Sequence, residues 1–255
     1  MNRKAFLTII AVLFTGIFLS IPQETQAAIL DLTLDGASGI INSAIFTQGS
    51  PGVSGTGVFD SFVRISSNND SEQGYNSSVR PLVFEENTSP TWTKSLTLNQ
   101  ITTTMVAGVP YREFFLDINQ QKKPNGTDNE FLISLDQLKI YLSSTEWDPN
   151  PTDISLLGTK IYDLGSNDII LDYRLEPGSG QADMSALIPD SLFTGNNPYV
   201  YLYSQFGSIY PNNDGFEEWA VRKSGTPVIP EPASLSLLGL GLLSLLGFRK
   251  FKMEI

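Results

Sequence analysis

Carboxylates and amides are the residues best equipped for chemistry in this chain, and they gather in two places. The first is Leu116-Asp117-Ile118-Asn119, followed by a loop over 120–130 that adds Asp128, Asn129 and Glu130. On a strand ending at Asn119, period-two geometry points Asp117 and Asn119 the same way, with Glu113 on that same face. Hard oxygen donors crowded at a strand end are what calcium prefers, so Asp117, Asn119 and Asp128 are candidate ligands of a structural calcium ion. Their spacing matches neither an EF-hand loop nor a nonapeptide calcium repeat, and Asp and Asn are also ordinary turn formers. The second place is Asp214-Gly215-Phe216-Glu217-Glu218-Trp219. Adjacent residues on a strand face opposite ways, so Glu217 and Glu218 cannot form an acid/base pair with each other. One of them beside Glu113 or Asp117 from another strand would resemble the two carboxyls, ~5–10 Å apart, that glycoside hydrolysis requires.

Aromatic side chains are the other chemical resource. Trp92, Trp147 and Trp219 stand with Tyr111, Tyr141, Tyr199, Tyr201 and Tyr203. Exposed rings on a β-sandwich can stack on sugars, while most aromatics pack in cores or across strands. Trp147, in the polar stretch Thr145-Glu146-Trp147-Asp148-Pro149, is the candidate for an exposed sugar-stacking ring. The chain has no His and no Cys. That excludes Ser-His-Asp and Cys-His nucleophile systems, zinc sites with His or Cys ligands, and disulfide staples. No organic cofactor is implied, and no catalytic residue is assigned.

Short strands are what must position these groups. Alternating apolar and polar residues recur at 29–34, 57–65, 92–98, 113–118, 138–142, 169–175, 199–203 and 216–221. The run Tyr199-Val200-Tyr201-Leu202-Tyr203 is the clearest, with tyrosines on one face and aliphatics on the other. Clusters such as Pro124-Asn125-Gly126 and Pro211-Asn212-Asn213-Asp214-Gly215 supply the turns between strands. The core lacks helical patterns of twelve residues or more, and only 184–187 reads as a short helical stretch. The expected fold is all-β, an antiparallel β-sandwich or jelly roll over residues 28–223.

The two ends of the chain differ from this core. Arg3 and Lys4 precede an uncharged apolar run over 5–20 and a polar region ending Thr-Gln-Ala-Ala. This is the pattern of a secretory signal peptide, helical over its apolar part, spanning residues 1–27 and cleaved by signal peptidase after Ala27 or Ala28. A small-residue linker, 224–229, leads to the tail at 230–255. There Pro230 and Pro232 bracket Glu231 in a stiff segment that cannot enter a helix interior. The leucine-rich run over 233–248 is apolar on every face, and its 16 residues span ~24 Å as a helix, short of a ~30 Å hydrocarbon core. Arg249, Lys250 and Lys252 then form a basic cluster of the kind retained on the cytoplasmic side, where the resemblance given below implies stop-transfer charges.

Of the 16 basic and 27 acidic residues, the two ends account for five and three, so the core carries about −13. Such a surface argues against nucleic acid or anionic lipid as a partner and suits divalent cations or solubility.

The sequence Val228-Ile229-Pro230-Glu231-Pro232-Ala233-Ser234-Leu235, the following Leu/Gly-rich run and terminal Arg249-Lys250 resemble a PEP-CTERM sorting domain. In that family the signal is attached to otherwise unrelated secreted bacterial proteins. The resemblance implies that a membrane exosortase recognises Pro230, Glu231 and Pro232 and removes the helix, passing a transiently anchored protein to the envelope or exterior. Core segments at 111–119, 134–141 and 215–219 are similar to small PEP-CTERM proteins of unassigned function. This implies a surface or matrix protein of a bacterium that makes exopolysaccharide, with that polysaccharide as a candidate partner. A carbohydrate-binding module is the alternative reading, and a carboxylate-based glycoside hydrolase a third.

Overall fold

The computed structural model describes residues 27–50, 57–121, 127–178, 181–213 and 215–223. Residues 1–26 of the expected signal peptide (1–27), the expected linker at 224–229 and the whole expected sorting tail, with Pro230, Glu231, Pro232, Arg249, Lys250 and Lys252, lie outside the described residues. So does the whole of the turn Pro124-Asn125-Gly126.

Within the described chain the strands come in the order β1 (Ile29–Asp31), β2 (Ser38–Ile41), β3 (Ala44–Gln48), β4 (Phe59–Ile65) and β5 (Glu72–Tyr75). Next are β6 (Leu96–Thr97), β7 (Thr103–Val106), β8 (Val109–Asp117), β9 (Leu132–Ser143) and β10 (Thr159–Asp163). The last four are β11 (Asp168–Asp172), β12 (Met184–Pro189), β13 (Tyr199–Phe206) and β14 (Glu217–Arg222). Helix among the described residues is confined to four short 3-10 turns.

These strands form two sheets. One has the order β1-β11-β9-β13-β5, with β10 on β9 and β6 on β13. The other has the order β2-β3-β12-β8-β14-β4, with β7 on β8. Number the eight central strands β4, β5, β8, β9, β11, β12, β13 and β14 from one to eight. One sheet then reads 1-8-3-6 and the other 2-7-4-5, the double Greek key of a jelly roll. That wiring puts the β4–β5, β8–β9, β11–β12 and β13–β14 connections at one end of the sandwich.

The sheets close on one apolar core. Phe62, Phe114, Leu116, Met184, Trp219 and Val221 from one sheet meet Ile133, Leu135, Ile140, Leu171, Val200 and Leu202 from the other. Trp219 buries its ring fully and gives its indole N–H to the Ser204 hydroxyl at 3.0 Å, one of few polar ties across the core. Burying such an N–H without an acceptor would cost on the order of 1–3 kcal/mol.

Two expectations need correction. Residues 184–187 are not helical: β12 is a central strand, paired with both β3 and β8. Its Met, Ala and Leu residues favour helix in isolation, but Met184, Ala186 and Ile188 alternate into the core, and pairing on both sides overrides propensity. The sandwich is also not wholly antiparallel, because β1 runs parallel to β11. A parallel pair cannot be joined by a hairpin, and here more than a hundred residues separate the two strands.

Candidate functional site

The outer face of the β4–β14–β8 sheet carries a cleft. In register, Arg64 of β4 stands opposite Glu218 of β14, which stands opposite Asp117 of β8. A bulge places this row. Trp219 pairs with Val63 but Ala220 with Ser61, so Phe62 is the extra residue. Phe62 and Val63 are both buried, leaving Ser61 and Arg64 facing outward.

Arg64 is held from every side. Its Nε donates to Glu218 Oε2 at 2.5 Å, its Nη2 bonds the same oxygen, and the Ser61 hydroxyl bonds Glu218 Oε1. The guanidinium lies between two rings, 3.5 Å from the centroid of Trp92 and 4.1 Å from that of Phe216. Trp92 arrives on the connection between β5 and β6, which is pinned along the edge strand. There the Lys94 amide donates to the Phe62 carbonyl at 3.0 Å and Lys94 Nζ to Asp60 Oδ1 at 2.7 Å. The result is a hollow of about 330 Å³ lined by Asp60, Arg64, Trp92, Phe115, Asp117 and Glu218. A neighbouring hollow of about 380 Å³ shares Arg64, Trp92 and Asp117 and adds Asn119 and Phe216. Each lies at the lower end of the ~300–1,000 Å³ usual for small-molecule sites.

Chemically the cleft offers aromatic surface beside an ordered guanidinium, carboxylates and an amide. That mixture suits a neutral, hydroxyl-rich ligand, whose C–H faces stack on rings while its hydroxyls bond to charged groups. Below the cleft on the same face, Arg222 Nη2 donates to Glu113 Oε2 at 2.7 Å, both side chains being buried, and Phe59 packs edge-on against Phe115. Glu113 is therefore committed to Arg222 and does not approach Glu218.

Asp117 and Asn119 do share a face and line the cleft. Asp128 begins a 3-10 turn, Asp128–Phe131, and its side chain lies outside the described residues. Among the described residues no three carboxylates converge as a metal cluster would. Glu217 and Glu218 face opposite ways, Glu217 fully buried and Glu218 in the cleft. Ala27 and Ala28 are exposed ahead of β1, where the Ala28 amide meets Asn167 Oδ1 at 3.2 Å.

Trp147 lies away from this cleft, on the other sheet. It is half-buried, donating its indole N–H to the Leu157 carbonyl at 3.1 Å and packing with Tyr75, Tyr141, Tyr201 and Tyr203 on the outer face of the other sheet. That face carries the tyrosines that alternate with aliphatics along β13. Connections over 76–95 and 144–158 cover it, and burial pushes the Tyr203 hydroxyl up to about 12, helped by Tyr141 and Glu85. Trp92, not Trp147, is the tryptophan that lines the cleft. Its sequence neighbours suggested a strand, and only Arg64, nearly thirty residues earlier, marks it as part of a site.

Residues 228–250 match the PEP-CTERM protein-sorting motif. No curated protein and no solved structure matches the chain. The motif indicates a secreted protein that is processed by an exosortase at the membrane of the cell envelope.

Proposed function

We propose that this is a non-enzymatic protein of the bacterial envelope or extracellular matrix, whose sorting tail is removed during export and whose β-sandwich is the mature product. The matched tail at 228–250 is the observation that carries this reading. In it, Pro230, Glu231 and Pro232 are the recognition element, the leucine-rich run holds the precursor in the bilayer, and Arg249, Lys250 and Lys252 halt translocation. Signal peptidase acts first, at Ala27 or Ala28. A non-catalytic role is supported by Glu218, whose two oxygens are already engaged by Ser61 and Arg64. Replacing Pro230-Glu231-Pro232 with alanines should leave full-length precursor in the membrane fraction. Normal release of a shortened product would defeat the proposal.

A second reading has its own observation. Arg64 clamped between Trp92 and Phe216, beside Asp117 and Asn119, favours a saccharide-binding cleft, with the exopolysaccharide around the cell as ligand. Affinity electrophoresis of the exported protein through gels containing that polysaccharide tests it. Retardation would support the reading, and unchanged mobility would count against it.

A further inference from the structure

Among the described residues six buried side-chain oxygens have no hydrogen-bond donor, and the β4–β5, β8–β9 and β13–β14 connections, with the strand ends beside them, hold four of these. The four are Glu72 Oε1, Gln120 Oε1, Asn212 Oδ1 and Glu217 Oε2. The four residues are 2%, 1%, 5% and 0% exposed. Buried polar atoms are nearly always satisfied, so four bare acceptors in one region call for a common cause.

The remaining atoms of these side chains fix how they are turned. Asn212 Nδ2 donates to Glu72 Oε2 at 2.9 Å and to the Ser67 carbonyl at 2.8 Å, which leaves Asn212 Oδ1 bare. Gln120 Nε2 reaches Glu217 Oε1 at 3.4 Å, which leaves Gln120 Oε1 bare. The two pairs are laced together by their chain neighbours. Asn213 Oδ1 accepts from the Gln121 amide at 2.7 Å, and Asn213 Nδ2 donates to the Gln121 carbonyl at 2.8 Å. The Ser66 hydroxyl donates to the Gly215 carbonyl at 2.9 Å. Gly215 sits so close to the β8–β9 loop that a Cβ there would stand 1.4 Å from the Asn119 carbonyl oxygen. Three connections are thus pressed into one knot, with two carboxylates and two amide oxygens inside it.

We propose that this knot binds a calcium ion through Glu72, Gln120, Asn212 and Glu217. Every unpaired atom is a hard oxygen acceptor, which is the donor type calcium takes, and backbone carbonyls or water complete its usual six to eight. Among the described residues neither Glu72 nor Glu217 has a cationic side chain as partner, so a divalent ion would supply the missing compensation for two buried carboxylates. Magnesium retains several waters and suits an enclosed protein cage poorly. The site lies one residue beyond Asn119, deeper than the surface ligands suggested by the sequence, and it is independent of saccharide binding in the cleft.

The test is the melting temperature of the metal-stripped exported protein in excess EDTA and in calcium, with isothermal titration to count ions. Calcium at ~100 times its dissociation constant should raise the melting temperature by roughly 5–10 °C. Titration should count one ion per chain. Glu217→Gln and Glu72→Gln should each weaken calcium binding at least tenfold, whereas Asp117→Asn should leave it intact. The proposal is overturned if EDTA and calcium give the same melting temperature, or if Asp117→Asn abolishes the response while Glu217→Gln retains it. Should Glu217→Gln not fold, the wild-type calcium shift and Glu72→Gln decide the matter.

Discussion

Replacing Arg64 with methionine leaves an apolar stem between Trp92 and Phe216 and removes the guanidinium from Glu218. Arg64 and Glu218 side chains are only 16% and 10% exposed, so the pair is far drier than a surface ion pair. Removing one member of a buried pair costs ~3–5 kcal/mol, and stacked cations contribute ~0.5–2 kcal/mol. The residual exposure, and the Ser61 hydroxyl that stays on Glu218, place Arg64→Met at roughly 2–4 kcal/mol. For a domain of this size that is about 4–16 °C in melting temperature. Glu218→Gln should cost less, about 1–2 kcal/mol, because the amide keeps an acceptor for Arg64. The double variant should be more stable than the sum of the two losses predicts, with a coupling of at least ~1.5 kcal/mol. Urea denaturation followed by tryptophan fluorescence measures all three. A coupling below ~0.5 kcal/mol, typical of exposed pairs, would refute the claim that this row is a desolvated, built feature of the cleft.

Three further changes separate binding, packing and titration. Trp92→Ala should weaken retention by the polysaccharide several-fold while costing only ~1 kcal/mol of stability, and unaltered retention would contradict the cleft assignment. Trp147→Ala should do the reverse, losing ~2–3 kcal/mol with retention unchanged, since its ring packs among tyrosines. Glu86, whose oxygens accept from the Tyr75 and Phe84 amides at 3.0 and 2.9 Å, has its carboxyl held above 4.5 chiefly by burial. Those amide bonds, and its own, oppose the rise while Glu85 adds to it. The folded form therefore binds this proton more tightly than the unfolded form. The resulting stability is full below about pH 4.5 and is lost as pH rises through the folded value. Melting temperatures across pH 4.5–7.5 should fall less steeply in Glu86→Gln than in the wild type, and parallel profiles would contradict the assignment.

What could be read from the sequence was whatever depends on local alternation. Tyr199, Tyr201 and Tyr203 turn away from the core as their spacing requires, while Val200 and Leu202 enter it. The opposite facing of Glu217 and Glu218, and the shared cleft of Asp117 and Asn119, follow from the same period. What could not be read depends on distant partners. The short strand β5, with Glu72 and Gly74, owes its existence to pairing with β13, about 130 residues later. Nothing near Glu217 signals full burial, because its setting is built by the β8–β9 connection and by Gln120. Trp147 lies in a polar, turn-rich stretch and Trp92 opens an alternating one, and only Leu157 and Tyr201 beside the former, and Arg64 beside the latter, distinguish their settings. The sorting tail needed no tertiary information, since a Pro-bracketed carboxylate, an apolar run and terminal bases carry their meaning in order.

The central claim is that the tail is a temporary address and the acidic β-sandwich the lasting product. Intact-mass and C-terminal peptide mass spectrometry of the exported protein addresses it directly. The mature chain should have lost the apolar run over 233–248 and end at or near Pro230-Glu231-Pro232. Exported protein that still carries the chain through Ile255 would contradict it.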